Sequence, residues 1–418
     1  MANRPLLLYP DRWGHLRSRY EEIKPRKMLA LDGGGIRGLI TLGILERMEE
    51  LLAKDSGAPD DFRLCDYFDY IAGTSTGAII AAGLARGMRV AELIKFYRDT
   101  GEAMFEKTIL LKRLASFYDA DPLKAQLRAV FNRDVNGRHD PDAKDTDLFP
   151  DNLRCLLLIV TRNITTDSPW LVSSNPDAKY NDPKRRDCNL RIPLWQLVRA
   201  STAAPVYFPP ETLKWDPTDP LKTFVFVDGG VTPYNNPAFL LYRMATQRPY
   251  RLEWRTGERK LLLVSVGTGA SSKPSFKTNV NIGSNLVGLP GALMYGIQVD
   301  QDINCRVFGR CTHGDLIDRE VYDLTCRDTD EGCSPEDWLT APHLPLSDDL
   351  GRAFLYARYN ADLSREGLDK LGLEDLDPEK LQQMDSVDQI DNLLEVGRAA
   401  ARSVDLTHFG PFVRTALD

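Results

Sequence analysis

Residues 28–38, MLALDGGGIRG, decide the fold, because a short apolar run ends at three glycines and a helical pattern follows. Over residues 39–52, apolar residues recur at the spacing of one helix face, so the order is strand, glycine loop, helix. The same order follows at once. Residues 67–72 are a strand candidate, residues 73–77 (GTSTG) a tight turn, and residues 78–85 a helix of small residues. Two consecutive βα units indicate a parallel sheet.

Further strand candidates lie at residues 153–161 (LRCLLLIVT), 224–227 and 260–266. Their nearly continuous apolar character is typical of strands covered on both faces. Helices begin at Asp121-Pro122 and at Asn236-Pro237, because each pair places an N-cap residue before a proline in the first helical turn. The pattern predicts a three-layer α/β fold with a mainly parallel central sheet.

The chain divides into three stretches. An N-terminal arm is expected over residues 1–26, and residues 27–269 contain the predicted strands and most of the predicted helices. Residues 270–418, here called the C-terminal part, begin with a polar connection and end in an acidic, helix-prone segment. We expect a helix-rich elaboration packed on the core. The sequence leaves open whether this part also acts as a regulatory module.

Charge and apolar runs exclude several classes of protein. The net charge is −7 and the isoelectric point is near 5.5, which argues against nucleic acid as a partner. The first apolar run is too short for a signal peptide, so a cytoplasmic location is expected. Residues 70–85, the most apolar stretch, are shorter than a membrane span. Any contact with a membrane is therefore expected to be peripheral.

The seven cysteines are scattered and include no CxxC pair, which favours free thiols in a reducing compartment. A zinc site is the alternative. Its candidate ligands would be Cys305, Cys311, His313, Cys326 and Cys333. Their spacing fits no zinc pattern well, and no metal is expected.

The turn at residues 73–77 matches GxSxG and lies between a predicted strand and a predicted helix. Small flanking residues allow a sharp turn that exposes the hydroxyl of Ser75 above the sheet. The free N–H groups of a helix N-terminus would also favour developing negative charge. A serine or threonine that merely caps the helix is the alternative.

Residues 32–38, DGGGIRG, form a second motif, here called the glycine loop. Successive glycines leave backbone N–H groups unshielded, as in an oxyanion hole or a phosphate cradle. The loop also satisfies the GxGxxG dinucleotide pattern, but Asp55, the nearest acidic candidate, follows a predicted helix rather than a strand. A P-loop is excluded because Leu39-Ile40 stand where Lys-Ser/Thr is required.

A third motif, Asp228-Gly229-Gly230, follows the apolar run FVFV. Asp228 is expected at a carboxyl end of the sheet, where active sites of open α/β sheets lie. An Asp-Gly turn without function is the alternative.

Together the three motifs, in this order, resemble the patatin-like phospholipases over about residues 27–269, and residues 200–210 (ASTAAPVYFPP) resemble the segment that precedes the family's aspartate. The resemblance implies that Ser75 is the nucleophile, that Asp228 activates it, and that Gly33, Gly34 and Gly35 line an oxyanion hole. Arg37 would position the loop or a substrate phosphate, or fix the loop through an ion pair. The implied activity is phospholipase A chemistry on phospholipid or other acyl-ester lipids through a covalent acyl-enzyme, without metal or cofactor.

Two other functions stay open. An α/β-hydrolase esterase would need a histidine after Asp228, and His313, His343 and His408 are the candidates. The loop, however, begins with Asp rather than with the HGGG of that fold. Alternatively, the chain is an effector or toxin phospholipase that stays idle until a small molecule, such as a cyclic nucleotide, or a protein activates it. The resemblance to bacterial patatin-like proteins suggests this reading.

Overall fold

The computed structural model describes residues 7–105, 121–132, 145–205, 208–216, 218–270, 282–315 and 351–414. The strands are β1 (Arg26–Leu31), β2 (Tyr70–Thr74), β3 (Leu156–Asn163), β4 (Ser168–Ser173), β5 (Glu211–Lys214), β6 (Thr223–Asp228), β7 (Leu261–Val266), β8 (Arg310–His313) and β9 (Leu355–Tyr359). The α-helices are α1 (Arg17–Glu21), α2 (Gly38–Ser56), α3 (Leu64–Tyr67), α4 (Thr76–Ala85), α5 (Val90–Phe105), α6 (Asp121–Phe131), α7 (Leu194–Ser201), α8 (Ala238–Thr246), α9 (Ile282–Phe308), α10 (Arg365–Lys370), α11 (Pro378–Leu381) and α12 (Ile390–Ala400).

The nine strands of the described residues form one sheet in the order β5-β6-β3-β2-β1-β7-β9-β8, with β4 paired to β3 outside this path. The strands from β3 to β8 in this order pair in parallel, whereas β4 and β6 run antiparallel to β3. The predicted α/β fold with a mainly parallel sheet is confirmed.

Alternate residues of the central strands pack into two separate cores, one on each face of the sheet. Leu29 and Leu31 of β1 point into the larger core, which includes α2 and α4. Met28 and Ala30 point into the smaller core, which includes α8 and the side chains of Trp13 and other N-terminal residues. Because successive side chains of a strand face opposite sides, this division produces the three layers.

The sheet continues beyond residue 270, because β9 pairs in parallel with β7 and β8 pairs with β9. Helix α12 packs along α2, where Arg398 forms an ion pair with Glu46 at 2.7 Å. The C-terminal part thus completes the sheet and contributes to both cores, with Leu393 of α12 in the larger core and Cys305 of α9 in the smaller one. A regulatory role for this part stays a prediction.

Within the described residues, no helix combines the length and the apolar character that crossing a bilayer requires.

Candidate active site

Ser75 occupies the turn between β2 and α4 in a strained backbone conformation, with φ 53° and ψ −123°. Residues other than glycine rarely adopt positive φ, and such strain is concentrated at functional sites. The two glycines of GTSTG make the turn possible. A Cβ atom on Gly73 would lie 2.0 Å from the carbonyl oxygen of Gly77, and one on Gly77 would lie 2.3 Å from that of Leu31. The turn therefore has the geometry of a nucleophile elbow.

Ser201, the last residue of α7, holds this elbow in place. The Ser75 backbone N–H donates to Ser201 Oγ at 2.9 Å, and that hydroxyl donates to the carbonyl oxygen of Val160 at 2.7 Å. No role for Ser201 was predicted from the sequence. The signal for it was present in the ASTAAPVYFPP segment, where a small hydroxyl residue follows an apolar helical pattern.

Asp228 lies directly beside the Ser75 hydroxyl. Ser75 Oγ donates to Asp228 Oδ2 at 2.6 Å, while Asp228 Oδ1 accepts from the Gly230 N–H at 2.6 Å. Asp228 was expected at a carboxyl end of the mainly parallel sheet, but the strand that carries it, β6, runs antiparallel to its neighbour β3. Because β6 runs antiparallel to β3, Asp228 pairs with Thr161 and approaches Ser75 from the opposite direction to the parallel strands.

The environment of Asp228 makes its carboxylate a stronger base than a free aspartate. Burial raises its pKa to about 6, against the opposing effects of the hydrogen bonds from Ser75 and Gly230 and the positive charge of Arg199. Only 4% of the residue is exposed. A carboxylate with this pKa can accept a proton from a hydroxyl near neutral pH more readily than one with the usual pKa.

The raised pKa predicts how activity depends on pH. Because Asp228 must be unprotonated to act as a base, we expect kcat/KM for a soluble ester to fall about tenfold per pH unit below about pH 6. Initial rates measured at constant ionic strength on either side of this pH would show this acidic fall in kcat/KM. A limb near the ordinary aspartate pKa would mean that Asp228 is not a buried base in the working enzyme.

The glycine loop lies against the elbow, since a Cβ atom on Gly33 would be 3.1 Å from Ser75 Cβ. The N–H of Gly33, however, already donates to the carbonyl oxygen of Asn235 at 3.0 Å. Among the described residues, the N–H groups of Gly34 and Gly35 donate to no acceptor. Of the three glycines proposed for an oxyanion hole, Gly34 and Gly35 therefore have donors to offer, and Gly33 shapes the loop.

Gly34 has no room for a side chain, because a Cβ atom would lie 2.2 Å from Thr268 Oγ1 and 2.6 Å from Thr268 Cβ. We expect Gly34→Ala to displace the loop donors and to lower kcat by about 10²-fold with little change in KM. Gly296→Ala in α9 is the matched control, because a Cβ there meets nothing within 4 Å. Steady-state kinetics of both folded variants provide the measurement. Unchanged turnover in Gly34→Ala would exclude an oxyanion role for the loop.

Arg37 contacts the backbone of the loop and of its neighbour. Its Nε donates to the Gly34 carbonyl oxygen and its Nη1 donates to that of Gly269, each at 3.4 Å. Arg37 as a whole residue is 9% exposed. These contacts are consistent with positioning of the loop, and contact with a substrate phosphate stays a prediction.

The described histidine candidates lie together and away from Ser75. The rings of His313 and His408 stack at 4.4 Å, and His408 Nδ1 is 3.0 Å from the Tyr359 hydroxyl. Burial and the neighbouring His408 lower the pKa of His313 to about 4. Neither ring forms a hydrogen bond with Ser75 or Asp228 within the described ranges, and His343 lies outside them.

Of the cysteines proposed as zinc ligands, two lie within the described residues and two lie outside them. Cys305 and Cys311 are buried free thiols, and Cys326 and Cys333 lie outside the described residues. In the part of the chain that the structure describes, no three His, Cys, Asp or Glu side chains are arranged to hold a metal ion.

Comparison with known proteins identifies the family. The model of the patatin-like phospholipase family matches residues 29–242, which carry all three motifs. The chain belongs to the patatin-like phospholipase family. Patatin-like phospholipases are hydrolases that act on lipid esters.

Two bacterial relatives of this patatin-like chain are named cGAMP-activated phospholipase. The one from Vibrio cholerae is 32% identical over 274 residues, covering 61% of this chain and 69% of the relative. The one from Escherichia coli is 29% identical over 253 residues, covering 59% and 63%. Human GIVD cytosolic phospholipase A2 aligns with 95% of this chain and 63% of its own, at 11% identity and a TM-score of 0.38.

Proposed function

We propose that this chain is a phospholipase A type enzyme that hydrolyses fatty acyl esters of phospholipids through a Ser75–Asp228 dyad. The observation that carries the proposal is the 2.6 Å hydrogen bond from Ser75 Oγ to the buried Asp228 carboxylate, at a strained elbow beside the glycine loop. A nucleophile within hydrogen-bond reach of its base is the arrangement that covalent acyl transfer requires.

In the first half-reaction Asp228 accepts the Ser75 proton while Oγ forms a bond to the ester carbonyl carbon. The N–H groups of Gly34 and Gly35 stabilise the resulting oxyanion. The C–O bond to the glycerol oxygen then breaks, and the proton on Asp228 passes to that leaving oxygen. The products of this step are the acyl-Ser75 ester and a lysophospholipid.

In the second half-reaction water replaces the alcohol. Asp228 accepts a proton from water as the water oxygen attacks the carbonyl carbon of the acyl-Ser75 ester. The N–H groups of Gly34 and Gly35 stabilise this second oxyanion. When the bond to Oγ breaks, the proton on Asp228 returns to Ser75. The fatty acid leaves and the free enzyme is restored, so that no metal or organic cofactor takes part.

We further propose that the enzyme works from the cytoplasm in peripheral contact with a membrane. Five described cysteines are buried as free thiols, which suits a reducing compartment. Val231, three residues after Asp228, is 41% exposed, and Ile164, one residue after β3, is 44% exposed. Such apolar side chains beside the proposed site favour contact with lipid.

A second proposal is that the enzyme is inactive by itself and that a cyclic dinucleotide or a protein activates it. The names of the two bacterial relatives support it. A structural contact supports it as well, because the Ile36 N–H in the glycine loop donates to the carbonyl oxygen of Met384 in the C-terminal part at 3.0 Å. A ligand that moved the segment around Met384 would change the glycine loop directly.

The test uses the purified chain on vesicles of mixed phospholipids, alone and with cGAMP or cell extract. We expect release of fatty acid and lysophospholipid, and a fluorophosphonate label that mass spectrometry locates on Ser75. Release in every condition would contradict the need for an activator. A label on another serine, or no release in any condition, would contradict the proposed hydrolase.

A further inference from the structure

A buried ion pair connects the glycine loop to the C-terminal part. Asp32, the residue after β1, has a fully buried side chain, and the side chain of Arg358 in β9 is 6% exposed. Arg358 Nη1 donates to Asp32 Oδ1 at 2.9 Å and Nη2 donates to Oδ2 at 2.5 Å. Two parallel hydrogen bonds of this kind fix the orientation of both groups.

The guanidinium of Arg358 is itself held in place. Its Nη1 also donates to Ser265 Oγ at 2.6 Å, and Ser265 is its register partner in β7. Because β7 lies between β1 and β9, the side chain of Arg358 crosses one strand to reach Asp32. Burial opposes its charge, but the Asp32 carboxylate outweighs this effect and raises the pKa of Arg358. The guanidinium therefore stays charged in the sheet.

Asp32 sets the path of the residues that follow it. Its N–H donates to the carbonyl oxygen of Val266 at 3.2 Å, and Gly33 then lies against Ser75. The direction of the Gly34 and Gly35 N–H groups depends on where this stretch leaves β1. Two contacts from the C-terminal part therefore hold the loop, one at Asp32 and one at Ile36 through Met384.

We propose that Arg358 is a positioning residue for the oxyanion donors, so that the C-terminal part belongs to the catalytic unit. The inference rests on the proposed acyl transfer at Ser75. A purely stabilising role is the competing explanation. It is physically weaker, because desolvating two charges often cancels the gain from pairing them. Positioning requires the fork geometry, whereas electrostatic stabilisation requires a positive charge alone.

Arg358→Lys separates the two roles because lysine keeps the charge but lacks the planar fork. We expect kcat to fall by about 10²-fold, as for a misplacement of about 1 Å, with KM little changed. The rate of fluorophosphonate labelling at Ser75 should fall in parallel. Ser265→Ala removes the 2.6 Å bond that orients Arg358, together with a longer bond of 3.4 Å from Ser265 Oγ to Asn236 Oδ1, and is expected to lower kcat several-fold in a protein that folds normally.

Arg26→Lys is the matched control. Arg26 lies at the opposite end of β1, is 5% exposed and forms an ion pair with Asp69 at 3.4 Å. This variant is expected to lose stability but to keep the wild-type kcat. An equal loss of kcat in Arg26→Lys and Arg358→Lys would overturn the proposal, because stability alone would then explain both.

Wild-type kcat and labelling rate in Arg358→Lys would also overturn it. If Arg358→Lys does not fold, Ser265→Ala decides in the same way: a lowered kcat with unchanged KM supports the proposal, and an unchanged kcat overturns it. Fluorophosphonate labelling of the wild-type protein distinguishes failure of the Arg358 proposal from failure of the proposed function. Absence of the label from Ser75 refutes the acyl-transfer proposal, whereas a label that forms equally fast in the variants refutes the role of Arg358 alone.

Discussion

Replacing Ser75 with alanine is expected to lower lipid hydrolysis by on the order of 10⁴-fold or more and to remove fluorophosphonate labelling entirely. The neighbouring hydroxyls cannot substitute for Ser75, because each is already engaged. Thr74 Oγ1 donates to the carbonyl oxygen of Tyr234 at 2.7 Å, and Thr76 Oγ1 bonds the hydroxyl of Tyr97. Fatty acid release and gel fluorescence of the same preparation would measure both effects.

Ser364→Ala is the control for this experiment. Ser364 caps α10, where its Oγ accepts from the Gly367 N–H at 3.1 Å, so its loss costs about 1 kcal/mol of stability but should leave labelling intact. Full labelling of folded Ser75→Ala at another serine would show that the nucleophile lies elsewhere.

Asp228→Asn is expected to reduce kcat by on the order of 10⁴-fold, because the amide keeps the shape of the side chain but cannot accept the Ser75 proton. Thermal stability should stay the same or rise. The pKa of Asp228 is raised to about 6, so above that pH the folded protein bears the cost of a buried carboxylate that asparagine does not have. Kinetics and a melting curve above pH 6 would show activity and stability changing in opposite directions.

The histidine variants complete this test. If Ser75 and Asp228 form a dyad, His313→Ala, His343→Ala and His408→Ala should each keep most of the activity. A triad requires that one of these variants lose its activity. A folded histidine variant that loses several orders of magnitude in kcat would refute the dyad. The pH profile cannot replace these variants. An acid limb near the raised pKa of Asp228 falls close to the ordinary titration of histidine.

The features that the sequence predicted are those with local causes. Gly73 and Gly77 are required by atoms only a few residues away or in the adjacent strand, so the GTSTG pattern indicates the elbow directly. The apolar strand before each glycine motif and the helical periodicity after it also depend on neighbouring residues alone. These local patterns were sufficient to predict the parallel sheet and to bring Ser75 and the glycine loop to the same edge of it.

The features that were not predicted depend on distant partners. The direction of β6 is decided by its pairing with β3, and an apolar run does not show which way a strand will run. The engaged N–H of Gly33 depends on Asn235, 202 residues further along the chain. Arg358 did leave a signal, since an arginine between apolar residues in LYARY is unusual for a buried strand, but its partner could not be identified from spacing.

The separation of Asp32 from Arg358 imposes an order in time on the newly made enzyme. The two residues are 326 positions apart, and ribosomes add roughly 5–20 residues per second, so the elbow is synthesised roughly tens of seconds before the arginine. With Arg358 required to align the oxyanion donors, a nascent or prematurely terminated chain that ends before β9 would carry the nucleophile without an aligned site. Cellular membranes would thus be protected from incomplete copies of the enzyme during translation.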